Sequence, residues 1–193
     1  MAYHLYHTEG IVLGSKDTGE SNRFYFILTR ELGLVGAVAQ SARASKSKLR
    51  GHLSVGTRGA MTFVRGRDVW RITAADEIAV FSPEDVSRQR MVARMAQLLR
   101  RLVHGEECDQ DLYKEVSGAL TFLKEHDEAV KGRELFEMAF AARMLAHLGY
   151  GVFDESHNEV LAAEWGSEVL ARAGVHQRTL VRAVNDALRA SQL

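Results

Sequence analysis

Between residues 40 and 71 the sequence gathers eight cations, Arg43, Lys46, Lys48, Arg50, Arg58, Arg65, Arg67 and Arg71, against a single acid, Asp68. The first four alternate with the hydroxyls of Ser41, Ser45 and Ser47. Cations, hydroxyls and backbone N–H groups are the usual donors to phosphate oxygens, and they hold a nucleic acid without reading its bases. Arg65, Arg67 and Arg71 form a second cluster around the turn Arg65-Gly66-Arg67. Tyr25, Phe63 and Trp70 are the aromatic candidates for stacking on bases. Core packing is the preferred reading for Phe24, Phe26, Phe63 and Trp70, because large aromatics dominate small cores. Arg90, Arg94 and Arg101 fall within about 40° of one another on a helical wheel. That stripe either extends the basic track or, the preferred reading, is the wet face of an amphipathic helix.

Other chemistries lack their residues. The sequence has no phosphate-cradling G-x-x-x-x-G-K-[ST], no dinucleotide G-x-G-x-x-G and no G-x-S-x-G nucleophile elbow. The eight histidines are scattered, with no H-x-x-x-H or H-E-x-x-H spacing. Cys108 is the only cysteine, so no internal disulfide can form, and its acidic neighbours disfavour a thiolate. Glu106, Glu107, Asp109 and Asp111 lack the glycine and register of a calcium loop and read as a solvated helix start. The expectation is a non-enzyme with no cofactor and no metal. With neither a secretory leader nor a run of about 18 apolar residues, the expected location is the cytoplasm, with no membrane partner. The formal net charge of zero hides an asymmetry: residues 102–170 carry fifteen acids and five bases, opposite in sign to residues 40–71.

The elements that would position these groups change type once. Residues 10–13, 23–29, 34–39, 52–64 and 68–81 read as strands, from apolar, aromatic or β-branched runs separated by turn residues. Five strands in about eighty residues fit a barrel of the oligonucleotide-binding (OB) type. Ser82-Pro83-Glu84-Asp85 reads as a helix start, with Ser82 as cap and the only proline in the first helical position. Beyond it, helical stripes cover 86–103 and 112–123, and 133–148 is apolar nearly all round, as in a central bundle helix. Helices over 157–173, interrupted by Gly166, and 178–190 complete the chain. The expected class is α+β, an N-terminal five-stranded OB-type β-barrel over 1–81 followed by an all-α helical domain over 82–193. Arg133 and Arg143, beside Phe136 and Phe140, are candidates for a partner-binding pocket, a cation within an apolar cleft suiting a peptide carboxylate.

In order along the chain, Glu9-Gly10-Ile11-Val12-Leu13, Gly19-Glu20, Leu28-Thr29 with Gly33, Ala42-Arg43, and Lys46-Ser47-Lys48-Leu49-Arg50-Gly51 with Leu53 form a recognisable pattern. Gly66-Arg67, Thr73-Ala74-Ala75-Asp76 and His147-Leu148-Gly149-Tyr150-Gly151 continue it. The pattern resembles the bacterial recombination mediator family RecO over about residues 8 to 153. The resemblance implies a DNA-binding protein of recombinational repair that binds single- and double-stranded DNA and anneals complementary strands, in the nucleoid. It implies single-strand-binding protein, RecR and RecA as partners, and places DNA contact on Arg43, Lys46, Lys48 and Arg50. The four zinc cysteines of many members are missing between Asp154 and Trp165, Gln40-Ser41 replaces a Lys-Gly, and Val55-Gly56 replaces a Pro-Phe. With its end at Leu193, the chain reads as a short, zinc-less variant. Two other readings remain open on the residues alone: an adaptor whose helical domain binds partner peptides, and an RNA-binding barrel, because phosphate contacts do not separate DNA from RNA.

Overall fold

Alternation drives the first unit: along residues 23–29, Tyr25 and Ile27 point inward while Phe24 and Phe26 point outward. The computed structural model describes residues 4–42, 49, 53–67 and 69–191. Among them, β1 (Leu5–Thr18), β2 (Asn22–Thr29), β3 (Gly33–Ala39), β4 (Arg58–Arg65) and β5 (Trp70–Ala79) form a closed barrel in the order β1-β2-β3-β5-β4. All neighbours are antiparallel except β3 and β5, which run parallel. That is the expected OB-type barrel.

β1 is much longer than the apolar run 10–13 announces. Its first half pairs with β4, from Leu5 opposite Val64 to Ile11 opposite Arg58, and its second half with β2, ending at Thr18 opposite Asn22. A register shift between Val12 and Gly14 bends the strand between its two partners, as a bulge does when a sheet must curl. The ladder hydrogen bonds carry polar residues into the strand that periodicity alone assigns to loops. Val12, Tyr25, Ile27, Val35, Met61, Phe63, Trp70 and Ile72 fill the interior, each large side chain contributing about 1.5–3 kcal/mol of burial.

The chain divides into two compact units, one formed by the barrel together with Val103–Lys114, the other by Asp85–Leu102 and the chain from Glu115 onward. The segment Val103–Lys114 packs against the barrel: the Leu34 amide donates to the Gly105 carbonyl at 3.1 Å, and the Cys108 thiol donates to the Arg30 carbonyl at 3.2 Å. Gly33 sits at φ 69°, and a Cβ there would lie 2.4 Å from the Glu107 carbonyl oxygen. Both the positive φ and this approach require glycine. The Tyr113 hydroxyl meets Glu9 at 3.3 Å, and burial, reinforced by the Glu9 charge, pushes the phenol well above its usual range.

The second unit contains α1 (Val86–Leu102), most of α2 (Gln110–Glu125), α3 (Asp127–Lys131), α4 (Arg133–His147), a 3-10 turn (Glu155–His157), α5 (Asn158–Leu161), α6 (Ser167–Val175) and α7 (Gln177–Ala190). α4 is central, touching α1, α3, α5, α6 and α7, as its all-round apolar surface predicts. Gly166 is extended and separates α5 from α6, so the 157–173 stretch is two short helices. No described helix is long and apolar enough to cross a membrane.

The helix start at Ser82 is displaced. α1 begins at Val86 and its cap is Asp85, whose Oδ1 accepts from the Arg88 backbone N–H at 2.9 Å. Asp85 prevails because its other oxygen accepts from the Arg88 guanidinium at 2.6 Å, and that guanidinium also reaches Asp127 and the Leu123 carbonyl. The bond from the Arg88 backbone and that from its side chain hold the Asp85 carboxyl below its usual value. A depressed folded value means stabilisation that is complete above the unfolded value of about 3.9 and is lost as pH falls through the folded value. Asp85→Asn keeps a capping oxygen and removes the charge. The variant is expected to be less stable than the wild type near neutrality, with the gap closing in acid; urea midpoints at pH about 7 and about 3 measure both.

Candidate nucleic-acid interface

Register puts chemistry on the outside of the barrel that the sequence reading assigned to its core. Lys16 on β1 is opposite Phe24 on β2, Phe24 is opposite Val38 on β3, and Val38 is opposite Arg71 on β5. Directly paired residues share a face, so Lys16, Phe24, Val38 and Arg71 form one outward row across four strands, about 14 Å long at the usual strand spacing. Phe26 is in the adjoining row, opposite Gly14 and Gly36. Phe24 and Phe26 are half-buried, their rings edge-to-face with centroids 5.1 Å apart. The Lys16 ammonium stands 5.1 Å from the Phe24 centroid and 6.0 Å from that of Phe26, in cation–π range. Period-two alternation was the signal for these two rings. It was masked because 23–29 is apolar at both parities, and Leu28, on the same outward parity, is indeed buried.

The stacking candidates chosen from sequence are interior. Tyr25, Phe63 and Trp70 are 2%, 0% and 4% exposed and cannot meet a base without opening the barrel. Phe63 and Trp70 follow the preferred core reading.

The predicted cations divide. Arg43, Lys46, Lys48 and Arg50 lie outside the described residues. Arg67 is exposed on the turn between β4 and β5, and Arg71 enters the outer row. Arg65 is exposed but engaged: it donates to Glu106, and its guanidinium carbon stands 4.6 Å from the Trp70 ring centroid. The Trp70 Nε1–H donates to the other Glu106 oxygen at 2.9 Å. Burial opposes the charged form of Glu106, but the bonds from Arg65 and Trp70 and the Arg65 charge outweigh it and lower its pKa. Arg65 is therefore partly neutralised. On α1, Arg94 pairs with Glu137 at 2.8 Å, consistent with a wet helix face.

In the helical unit the four partner-site residues separate. Phe136 and Phe140 are 0% and 1% exposed, packed against Trp165. Arg143 is buried beside the Trp165 ring at 4.5 Å and donates to Glu115 at 2.8 Å. Its charge already has a carboxylate, and burial lowers its pKa against the opposing pull of Glu115. Arg133 alone is at the surface, lining with Lys131, Val130, Leu135, Ser87 and Gln177 a cavity of about 450 Å³. No group of three or more potential metal ligands exists among the described residues.

Comparison with known proteins agrees with this architecture. The family model described as "Recombination protein O N terminal" matches residues 1–81, and "Recombination protein O C terminal" matches residues 83–155. "DNA repair protein RecO" of Heliobacterium modesticaldum is 30% identical over 148 residues, covering 76% of this chain and 52% of that protein. The Nostoc punctiforme protein of the same name is 29% identical over 150 residues, covering 77% and 47%, and that of Bifidobacterium adolescentis 34% over 126 residues, covering 63% and 51%. The chain thus spans about half the length of these curated relatives. With both halves of the family matched in order on a closed barrel and a following set of helices, the chain belongs to the RecO family of recombination proteins.

Proposed function

We propose that this chain is a non-catalytic DNA-binding mediator of recombinational repair, which binds single strands on its barrel and anneals complementary ones. The observation that carries the reading is the outward row Lys16, Phe24, Val38 and Arg71 on β1, β2, β3 and β5, with Arg67 on the neighbouring turn. The strand 2–3 face and the loop between strands 4 and 5 are where OB barrels receive oligonucleotides. Phosphate contact is proposed for Arg43, Lys46, Lys48 and Arg50, which follow β3 in the sequence, and for Arg67 and Arg71, with a smaller share from Arg65 because Glu106 competes for it.

Annealing requires that the repulsion between two phosphate backbones be screened while base edges stay free to pair. Contacts to phosphate do this, since they fix the strand without occupying hydrogen-bonding edges. The family supports single-strand-binding protein, RecR and RecA as partners within the same proposal, together with a nucleoid location. Fluorescently labelled complementary oligonucleotides test it. The protein is expected to accelerate their pairing, bare and when coated with single-strand-binding protein. A chain that neither binds these strands nor accelerates their pairing would overturn the reading.

A second reading is favoured by the cavity at Lys131 and Arg133, which presents these two cations, with one acid, Glu134, beside Val130 and Leu135. It is an adaptor role, with an acidic, apolar peptide tail seated there. Peptide binding lost in Arg133→Ala, without any DNA annealing, would select it.

A further inference from the structure

The barrel carries a pair of phenylalanines outside its interior. Tyr25, Ile27, Val35, Phe63, Trp70 and Ile72 already fill the interior, while Phe24 and Phe26 stand on the opposite side of β2. Gly36 keeps this outer surface flat. A Cβ there would lie 2.6 Å from the Phe24 Cζ, so the ring lies across the β3 backbone where any side chain would displace it. Gly14, the other cross-strand partner of Phe26, likewise has no side chain. Phe26 is therefore flanked by glycine on both neighbouring strands, and the tip of the Phe24 ring reaches over Gly36.

Charge indicates the occupant. Lys16 is exposed beside the rings, and no carboxylate lies within ion-pair distance of it among the described residues. Arg71 closes the same row on the far side of Val38. An apolar protein partner has no need of a cation at each end of the patch. A chain of flat rings joined by phosphates matches it, with bases against the aromatic centre and phosphates toward Lys16 and Arg71. Paired bases are stacked on one another and present no free face, so a duplex cannot use the rings.

We propose that Phe24 and Phe26 form a stacking platform for unpaired bases of a single DNA strand, with Lys16 holding the adjoining phosphate. The inference rests on the DNA-binding reading above and deepens it: the platform makes the barrel prefer single strands to duplex.

The test compares three ligands of equal phosphate count: an oligothymidylate, the same backbone with abasic sites, and a duplex. The wild-type chain is expected to bind the thymidylate strand more tightly than the abasic one, by about 5- to 150-fold per stacked base. Phe24→Leu with Phe26→Leu should bring the two single strands to parity and leave duplex affinity unchanged. Lys16→Ala should weaken thymidylate and abasic strands by the same factor. The wild-type comparison stands even should the double variant misfold, which a thermal melt would reveal. A wild type that binds all three ligands equally overturns the platform and leaves DNA binding intact, as does a folded double variant that keeps the base preference. Failure to bind any of the three overturns the DNA-binding reading itself.

Discussion

DNA affinity is expected to fall about 60- to 1,000-fold when monovalent salt rises fourfold, from about 50 to about 200 mM. About four to six phosphate contacts release counterions on binding, which sets a slope of log K against log salt of about −3 to −5. The cations Arg43, Lys46, Lys48 and Arg50 should carry much of it. Lys46→Ala with Lys48→Ala is expected to make the slope shallower by about 1–2 units, with the barrel still folded. Arg67→Ala should change the slope more than Arg65→Ala, since Arg65 already donates to Glu106 and has less charge to offer. Filter binding or fluorescence anisotropy across a salt series measures all of these. A slope near zero would remove the electrostatic mechanism, and an unchanged slope in the double variant would mean that Lys46 and Lys48 are not in the site.

Glu115→Ala is expected to destabilise the helical unit by about 3–5 kcal/mol. Glu115 accepts from Arg143 Nη2 and from Trp165 Nε1, each at 2.8 Å, and Arg143 is only 7% exposed. Removing the carboxylate strands a buried guanidinium and a tryptophan N–H together, and the cost is mainly desolvation with nothing to offset it. The double variant Glu115→Gln, Arg143→Met should recover most of the loss. Its amide still accepts from Trp165, and Met fills the volume of the arginine stem without a charge. Urea denaturation followed by circular dichroism decides between them. A single-variant cost below about 1 kcal/mol would show that the pair is solvated rather than buried. The same geometry removes Arg143, Phe136 and Phe140 from any docking surface, because all three are buried, Arg143 against Glu115 and Trp165 and the two rings against Trp165.

Local pattern made the architecture readable. The change from strands to helices lies where Ser82, Pro83 and Asp85 mark it, and the all-round apolar segment 133–148 became the central helix α4. β1 was readable only in part, because its outer residues owe their strand conformation to hydrogen bonds with β2 and β4 rather than to their own preference. The true cap of α1 was hidden for a similar reason. Asp85 prevails over Ser82 through Arg88, whose side chain is held in place by Asp127 and the Leu123 carbonyl.

The order of residues along the chain was enough for the class of fold, the family, and the grouping of positive charge over residues 40–71. Composition and order along the chain suffice for those. Tertiary structure alone decided which aromatics face water, which cations are already neutralised, and which residues stand side by side. Phe24 and Tyr25 are neighbours of one type class, and only barrel closure turns one outward and the other inward. Arg65 and Arg67 are equivalent in the sequence, and only the packing of Val103–Lys114 against the barrel brings Glu106 to one of them. Side-chain exposure and charge pairing depend on residues far apart in sequence, and only the folded chain brings those residues together.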